Sequence, residues 1–265
     1  MDLELTQARD LAVRLADVAG TVALKYFRGP LDIEAKVDFS PVTIADREAE
    51  QAIRDLITQV YPEHGILGEE LGDSRIDADY VWAIDPIDGT TSFVTGNPLF
   101  GTLVSLLRHG VPVIGIIDMP ALDERWIGCE GLATTFDGRE SHTRSCADLK
   151  DAWLSATSPQ MFPTDEFSRF EALRQRCRRT VYGTDCYAYG LLANGTLDLV
   201  VEATMGIYDF CALAPVVTGA GGTMTDWQGQ PLTIKSDGRV VAAGDIRMHR
   251  AALNILSVHN QDTIS

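Results

Sequence analysis

The sequence predicts a protein of mixed helix and strand in two successive parts: an N-terminal α+β half with an antiparallel sheet over residues 1–145 and a C-terminal α/β half over residues 146–265. Three observations carry that expectation. Apolar residues recur at helical spacing in two stretches before residue 61. Three strand-like runs then follow Leu103 at the close spacing of an antiparallel meander. Beyond a polar stretch from Thr143 to Lys150, strand and helix patterns alternate, which is the mark of α/β architecture. A chain of 265 residues can bury an ample core as one large domain or two modest ones.

Taken in order, Leu11, Leu15, Val18 and Val22 share a helix face while Asp10, Arg14 and Asp17 are left for water, so the first element is an amphipathic helix. Lys36 lies in a polar stretch, where a lysine is ordinarily a solvated charge. Thr43-Ile44-Ala45-Asp46 has the form of a helix start, and Ala49, Ala52, Ile53, Leu56 and Val60 continue the apolar face. Asp46 therefore falls in a first turn, where a carboxylate is favoured by the helix dipole alone. Ile66-Leu67, closed by Gly68-Glu69-Glu70, reads as a short strand with carboxylates at its end. Tyr80 to Ile84 reads as a buried strand closed by Asp85-Pro86, and Leu103–Leu107, Val113–Asp118 and Glu124–Gly128 as three more, with turns at His109-Gly110 and Met119-Pro120. In the second half, strands at Ala152–Ala156, Thr180–Tyr182, Leu197–Val201 and Val240–Ala243 alternate with helices from Glu166 to Cys177, from Cys186 to Ala193, behind Asp209 and around Met248 to Ile255. Asp209 reads as the N-cap of its helix, which Pro215 is expected to kink or shorten.

The stretch richest in chemistry is Asp85-Pro86-Ile87-Asp88-Gly89-Thr90-Thr91. Pro86 fixes its own φ and biases Asp85 to an extended conformation, and Gly89 permits a sharp turn after Asp88. Two acids three apart on a stiff segment can share one hard divalent cation such as Mg²⁺, with the Ile87 carbonyl as a third oxygen ligand. Asp-Pro and Asp-Gly are also ordinary turn pairs, so the segment alone leaves both readings open. Glu69, Asp85, Asp88 and Asp209 each fall at a strand end or helix start, where ligand-facing loops lie.

Composition narrows the partners. With 22 Lys plus Arg against 38 Asp plus Glu, the formal charge is −16, and such a surface repels polyanions, which excludes nucleic acid as an expected partner. An anionic substrate would then need a bound cation or local amides to approach. The five cysteines, at 129, 146, 177, 186 and 211, show no paired spacing and read as free thiols of a reducing compartment. Acids in Met1-Asp2-Leu3-Glu4 and the lack of a long apolar run lead us to expect a cytoplasmic protein with no membrane partner.

Gly68-Glu69-Glu70, the Asp85 to Thr91 segment, and Tyr208-Asp209 through Ala220-Gly221-Gly222 resemble, in order, the three signature regions of the inositol monophosphatase superfamily of Mg²⁺-dependent, Li⁺-sensitive phosphatases. Tyr208 stands where that family usually has Trp. The resemblance implies a layered αβαβα sandwich of the inositol monophosphatase and fructose-1,6-bisphosphatase type, and a phosphate monoester as substrate. It implies that Glu69, Asp85 and the Ile87 carbonyl hold one Mg²⁺ and that Asp85, Asp88 and Asp209 hold a second, with a third, weaker ion near Glu69 and Mn²⁺ as an alternative metal. It further implies phosphate-binding amides at Gly89 and Thr90, a Thr90 hydroxyl oriented by Asp46 that activates water together with Glu69, Lys36 near the phosphate, and a homodimer. Two ions can cradle the attacking and leaving oxygens of an in-line displacement.

Glu202 matches the family position that contacts the alcohol part of the substrate, and Asp185 adds a second acid where inositol-hydrolysing members usually have a small residue. Two carboxylates opposite the metal ligands would welcome a cationic alcohol, although Asp185 can also be read as capping the helix that begins near Cys186. The segments Phe93 to Leu103, Glu124 to Gly128 and Asp185 to Gly190 resemble the histidinol-phosphate phosphatase branch. The expected activity is thus histidinol-phosphatase, with inositol-1-monophosphatase or a broad small-molecule phosphatase as the alternative. A non-catalytic binding protein on the same scaffold and a nucleotide-directed bisphosphate phosphatase fit the residues less well.

Overall fold

A computed structural model of the chain describes residues 3–29, 33–35 and 41–257, so the sequence reading of Lys36 lies outside the described residues. In order, the elements are α1 (Leu3–Tyr26), β1 (Ile33–Ala35), β2 (Pro41–Thr43), α2 (Ile44–Val60), β3 (Gly65–Gly68), β4 (Gly72–Ser74), β5 (Tyr80–Asp88), α3 (Thr90–Thr95), β6 (Gly101–Arg108), β7 (Val111–Met119), β8 (Glu124–Cys129), β9 (Thr135–Phe136) and β10 (Arg139–Glu140). The second half adds β11 (Trp153–Ala156), α4 (Thr164–Arg174), β12 (Arg179–Tyr182), α5 (Tyr187–Ala193), β13 (Leu199–Glu202), α6 (Ile207–Gly219), β14 (Thr223–Asp226), β15 (Val240–Ala243) and α7 (Ile246–Leu256).

Eight strands form one sheet in the order β10-β9-β8-β7-β6-β5-β3-β4, in which only β3 and β5 run parallel. Five form a second sheet, β12-β11-β13-β15-β14, parallel across its first three strands and antiparallel beyond. Three apolar cores separate the layers. Leu11, Leu15 and Ile53 of α1 and α2 pack on one face of the large sheet against Trp82 and Ile84. On its other face Val81, Ala83 and Leu103 meet Tyr189 and Leu192 of α5 and Phe210 and Leu213 of α6, which reach across to Val200 and Ala242 of the small sheet. Phe170 and Met248 of α4 and α7 close the far side against Leu154 and Val241. The result is the αβαβα sandwich expected. No helix among the described residues is long and apolar enough to cross a membrane, and all five cysteines are free thiols.

Two sequence expectations are corrected, and three short strands are added. The strand expected to end at Ile84 continues to Asp88, because the pairing with β6 steps from Asp85↔Leu103 to Asp88↔Gly101, one extra residue forming a bulge. The Thr102 hydroxyl donates to the Pro86 carbonyl at 2.9 Å inside that bulge. Nor does Pro215 shorten its helix: α6 runs from Ile207 to Gly219. Proline removes the N–H that would bond the Cys211 carbonyl, and the Ser105 hydroxyl donates to that carbonyl instead at 2.9 Å, with the Ile114 carbonyl at the same distance. Strands β4, β9 and β10 had no counterpart in the sequence reading because two or three residues are too few to show an alternating pattern.

The Ser105 contact makes a prediction. Ser105→Ala leaves a buried carbonyl without its donor and is expected to cost about 1–3 kcal/mol in urea unfolding. The loss should shrink in a Pro215→Ala background, where the backbone N–H returns; an equal loss in both backgrounds would show that the hydroxyl does not substitute for the missing amide.

Candidate active site

The β5 bulge decides the geometry of the site. Residues three apart in a regular strand point to opposite faces, and one extra residue returns Asp85 and Asp88 to the same face. Ile87 between them is fully buried with Phe93 and Phe100, which anchors the segment. Asp209 arrives from the first turn of α6, and its ligand oxygen, with those of Asp85 and Asp88, lies in a group whose members are within 4.8 Å of one another. Asp209 is not the N-cap expected of it. Gly206 holds that position and donates its N–H to the Asp209 carboxylate at 2.8 Å, so Asp209 is the third helical residue.

Each carboxylate is oriented by a backbone amide. Ile87 N–H donates to Asp85 at 3.0 Å, and Cys186 N–H donates to Asp88 at 2.8 Å. The second bond depends on Gly101 opposite Asp88, since a Cβ there would lie 2.7 Å from the Cys186 sulfur. Glu69, at the end of β3, presents its carboxyl to Asp85. Gly89, with φ 77° in the left-handed region, turns the chain from β5 into α3. The N–H groups of Gly89 and Thr90 therefore open a short helix, where they have no intrahelical acceptor.

Among the described residues, the charges that act most strongly on this cluster are other acids. Burial and then the neighbouring carboxylates Glu69, Asp88 and Asp209 push the Asp85 pKa well above the usual range. Asp209 is raised well above it in the same way, by burial and then by Asp88 and Glu69. Asp88 is pushed up to about 6, chiefly by burial and against the hydrogen bonds from Cys186. A buried, all-oxygen, strongly acidic donor set is what a hard divalent cation requires, so the residues present fit Mg²⁺.

A second pair of acids faces the first. Asp88, Asp209, Asp185 and Glu202 line one cavity of about 140 Å³, together with Met161 and Met205. Glu202, at the buried end of β13, accepts from Thr157 N–H at 2.9 Å and from the Tyr189 hydroxyl at 2.8 Å. Burial, opposed by those bonds, pushes it up to about 7. Asp185 has φ 42° and caps no helix, the cap of α5 being Cys186. Its carboxylate instead lies beside Gly89, where a Cβ would come within 3.0 Å of it, and takes a long hydrogen bond from Ser92 at 3.4 Å. Burial and then Asp88 push it up to about 7.

The remaining candidates divide. Asp46 is held as the capping-box residue of α2, accepting from Thr43 N–H at 2.8 Å and from its hydroxyl at 2.6 Å, yet the charge of Glu69 also reaches it and helps raise its pKa after burial. The Thr90 hydroxyl donates to the Ile87 carbonyl at 3.1 Å, and among the described residues the structure makes no Asp46–Thr90 hydrogen bond. Sequence reasoning missed Thr157, Tyr189, Ser92 and the amide of Cys186. Thr157 follows β11 directly, the same strand-end signal that marked Asp85; the others carry no sequence signal, since each acts across a fold-level contact.

Fold and site together define a phosphate monoester hydrolase of the layered αβαβα class, and the comparisons with known proteins agree. The model of the inositol monophosphatase family matches residues 4–261, and the chain belongs to that family. It is 47% identical over 267 residues to the bifunctional phosphatase IMPL2, chloroplastic, of Arabidopsis thaliana, covering 97% of this chain and 77% of that protein. It is 37% identical to a histidinol-phosphatase of Mycobacterium tuberculosis, covering 83% of this chain and 87% of that one. A solved structure of an inositol monophosphatase from Zymomonas mobilis superimposes with a TM-score of 0.89 at 49% identity, covering 96% of this chain and 98% of that one.

The raised acids predict how the metal-free protein responds to pH. Asp88 at about 6 and Asp185 and Glu202 at about 7 bind protons more tightly than unfolded carboxylates do near pH ~4. Their contribution to stability is complete below about pH 4 and is lost as pH rises through about 6 to 7. Melting in chelator should therefore show a falling Tm across that window, with Asp88→Asn raising the Tm at pH 7.5 and abolishing the further rise that Mg²⁺ gives the wild type. Identical melting of variant and wild type under both conditions would contradict the electrostatic account.

Proposed function

We propose that this phosphatase is a Mg²⁺-dependent histidinol-phosphatase, releasing phosphate and L-histidinol. One observation carries the reading: Asp185 and Glu202 share a cavity with Asp88 and Asp209, so the alcohol leaving from the phosphate meets two further acids. Coulomb attraction in a partly buried pocket is several-fold stronger than in water, which favours an alcohol bearing an ammonium group over a neutral polyol. Met161, Met205 and Leu213 add an apolar wall suited to the rest of such a molecule. The likeness to a histidinol-phosphatase over most of the chain supports the same substrate. Likeness to the bifunctional phosphatase and to an inositol monophosphatase favours the second reading, a phosphatase for inositol 1-phosphate or for several small esters.

In this reading Glu69, Asp85 and the Ile87 carbonyl would hold one Mg²⁺ and Asp85, Asp88 and Asp209 a second, in a homodimeric enzyme. Bound there, the metal would supply Lewis-acid stabilisation to the phosphoryl oxygens and lower the pKa of a water. The protein's own part is to orient. The Gly89 and Thr90 amides point their N–H groups at the phosphate. Thr90 and Glu69 handle the proton of the attacking water, Asp46 contributes through the α2 cap behind them, and Glu202 and Asp185 hold the alcohol.

Two measurements test this. On a panel of esters, kcat/KM is expected to be highest for histidinol phosphate, and a higher value on inositol 1-phosphate would establish the second reading. Asp185→Asn should lower kcat/KM on histidinol phosphate by about tenfold or more, roughly 1.4 kcal/mol of transition-state stabilisation, while sparing glycerol 2-phosphate; equal losses on both would remove the role given to Asp185.

A further inference from the structure

We infer that Glu50 and Arg54 of α2 form a clamp that positions Glu69 for its metal, an inference that rests on the ligand reading of Glu69 above. Glu50 is a fully buried carboxylate. It accepts the N–H of Glu70 at 2.7 Å on one oxygen and the N–H of Leu71 at 3.1 Å on the other. These are the two amides that follow Glu69, whose own N–H donates to the Ile84 carbonyl at 3.3 Å. Arg54, one helical turn on, pairs with Glu50 at 2.7 Å and also donates to the Gly72 carbonyl. The whole turn between β3 and β4 is thus tied to α2, some twenty residues away in sequence. Gly68 completes the arrangement: a Cβ there would lie 2.1 Å from the Glu50 carboxylate and 2.4 Å from the Arg54 guanidinium, so only glycine lets the clamp seat.

The chemistry explains the need. Asp85 and Asp88 are fixed within β5 and Asp209 within α6, whereas Glu69 stands at the end of the four-residue strand β3, next to an open turn. Mutual repulsion among the acids would swing Glu69 outward first. An ordinary turn satisfies its amides with a local Asn, Asp or Ser; here a buried Glu from another element does so. Its charge is balanced by Arg54, so the clamp adds no net negative charge to the cluster. Groups that orient a metal ligand from behind characteristically govern affinity by 10- to 100-fold.

The test uses the full chain, with Mg²⁺ alone as the titrant. Glu50→Gln and, independently, Gly68→Ala, which displaces the clamp by steric overlap, are each expected to weaken the calorimetric Mg²⁺ dissociation constant by about tenfold. Phosphatase activity should recover when Mg²⁺ is raised by the same factor. Circular dichroism and melting in chelator report the fold separately, and the two variants guard against either failing to fold. Lowered stability with a wild-type Mg²⁺ constant in the variants that fold would overturn the clamp and leave a structural turn. A Glu69→Gln protein that binds Mg²⁺ like the wild type would overturn it differently, by removing the ligand reading beneath it.

Discussion

The constraint on which this structure depends is electrostatic: acids from distant parts of one chain converge where the ends of two sheets meet, and the groups that act on them most strongly are other acids. Backbone amides hold nearly every member, Ile87 on Asp85, Cys186 on Asp88, Gly206 on Asp209 and Thr157 on Glu202. Such N–H dipoles orient a carboxylate and lower the cost of burying it, but they do not cancel its charge. The fold therefore maintains a standing repulsion that a divalent cation relieves, and the stability for this comes from the three apolar cores around the site.

The scaffold meets that repulsion by removing freedom from each acid in a different way. Asp85 and Asp88 are turned to one face by a bulge stiffened by Pro86, and Asp209 belongs to a helix packed directly on the large sheet. That packing needs Gly115 and Gly128, where a Cβ would come within 2.0 Å of the Ala212 carbonyl oxygen and 2.3 Å of the Pro215 carbonyl carbon. Ser105 repairs the one backbone vacancy that Pro215 leaves in the same helix. The arrangement divides the labour between the sheets. The large sheet brings Glu69, Asp85 and Asp88, the small sheet brings Glu202, and the segment ahead of α5 brings Asp185 to the same cavity as Asp88 and Asp209.

Much of this was legible before any coordinates. The 3.6-residue periodicity of Leu11 to Val22 and of Ala49 to Val60 identified α1 and α2, and the alternation of apolar runs identified the meander, because those patterns record burial on one face. Glu69, Asp85, Asp88 and Asp209 were recognisable because acids at strand ends and helix starts fall where ligand-facing loops lie, whereas Asp185 and Glu202 were singled out only through the family resemblance. Short pieces such as β4, β9 and β10 carried no period to read. Proline rules gave no sign that α6 would run on past Pro215 to Gly219, since the compensating hydroxyl lies 106 residues away in sequence.

By itself, then, the sequence determined which of the longer elements form, which of their residues are apolar, and which acids are candidates for chemistry, because these depend on local periodicity and on residue type. Only the tertiary structure decided that three carboxylates come within 4.8 Å of one another, that Asp185 leaves its helix uncapped to face Gly89, and that Glu50 reaches the turn behind Glu69. Those outcomes depend on contacts between residues far apart in the chain, whose distances are set by how the layers pack and by where a glycine lets two backbones approach.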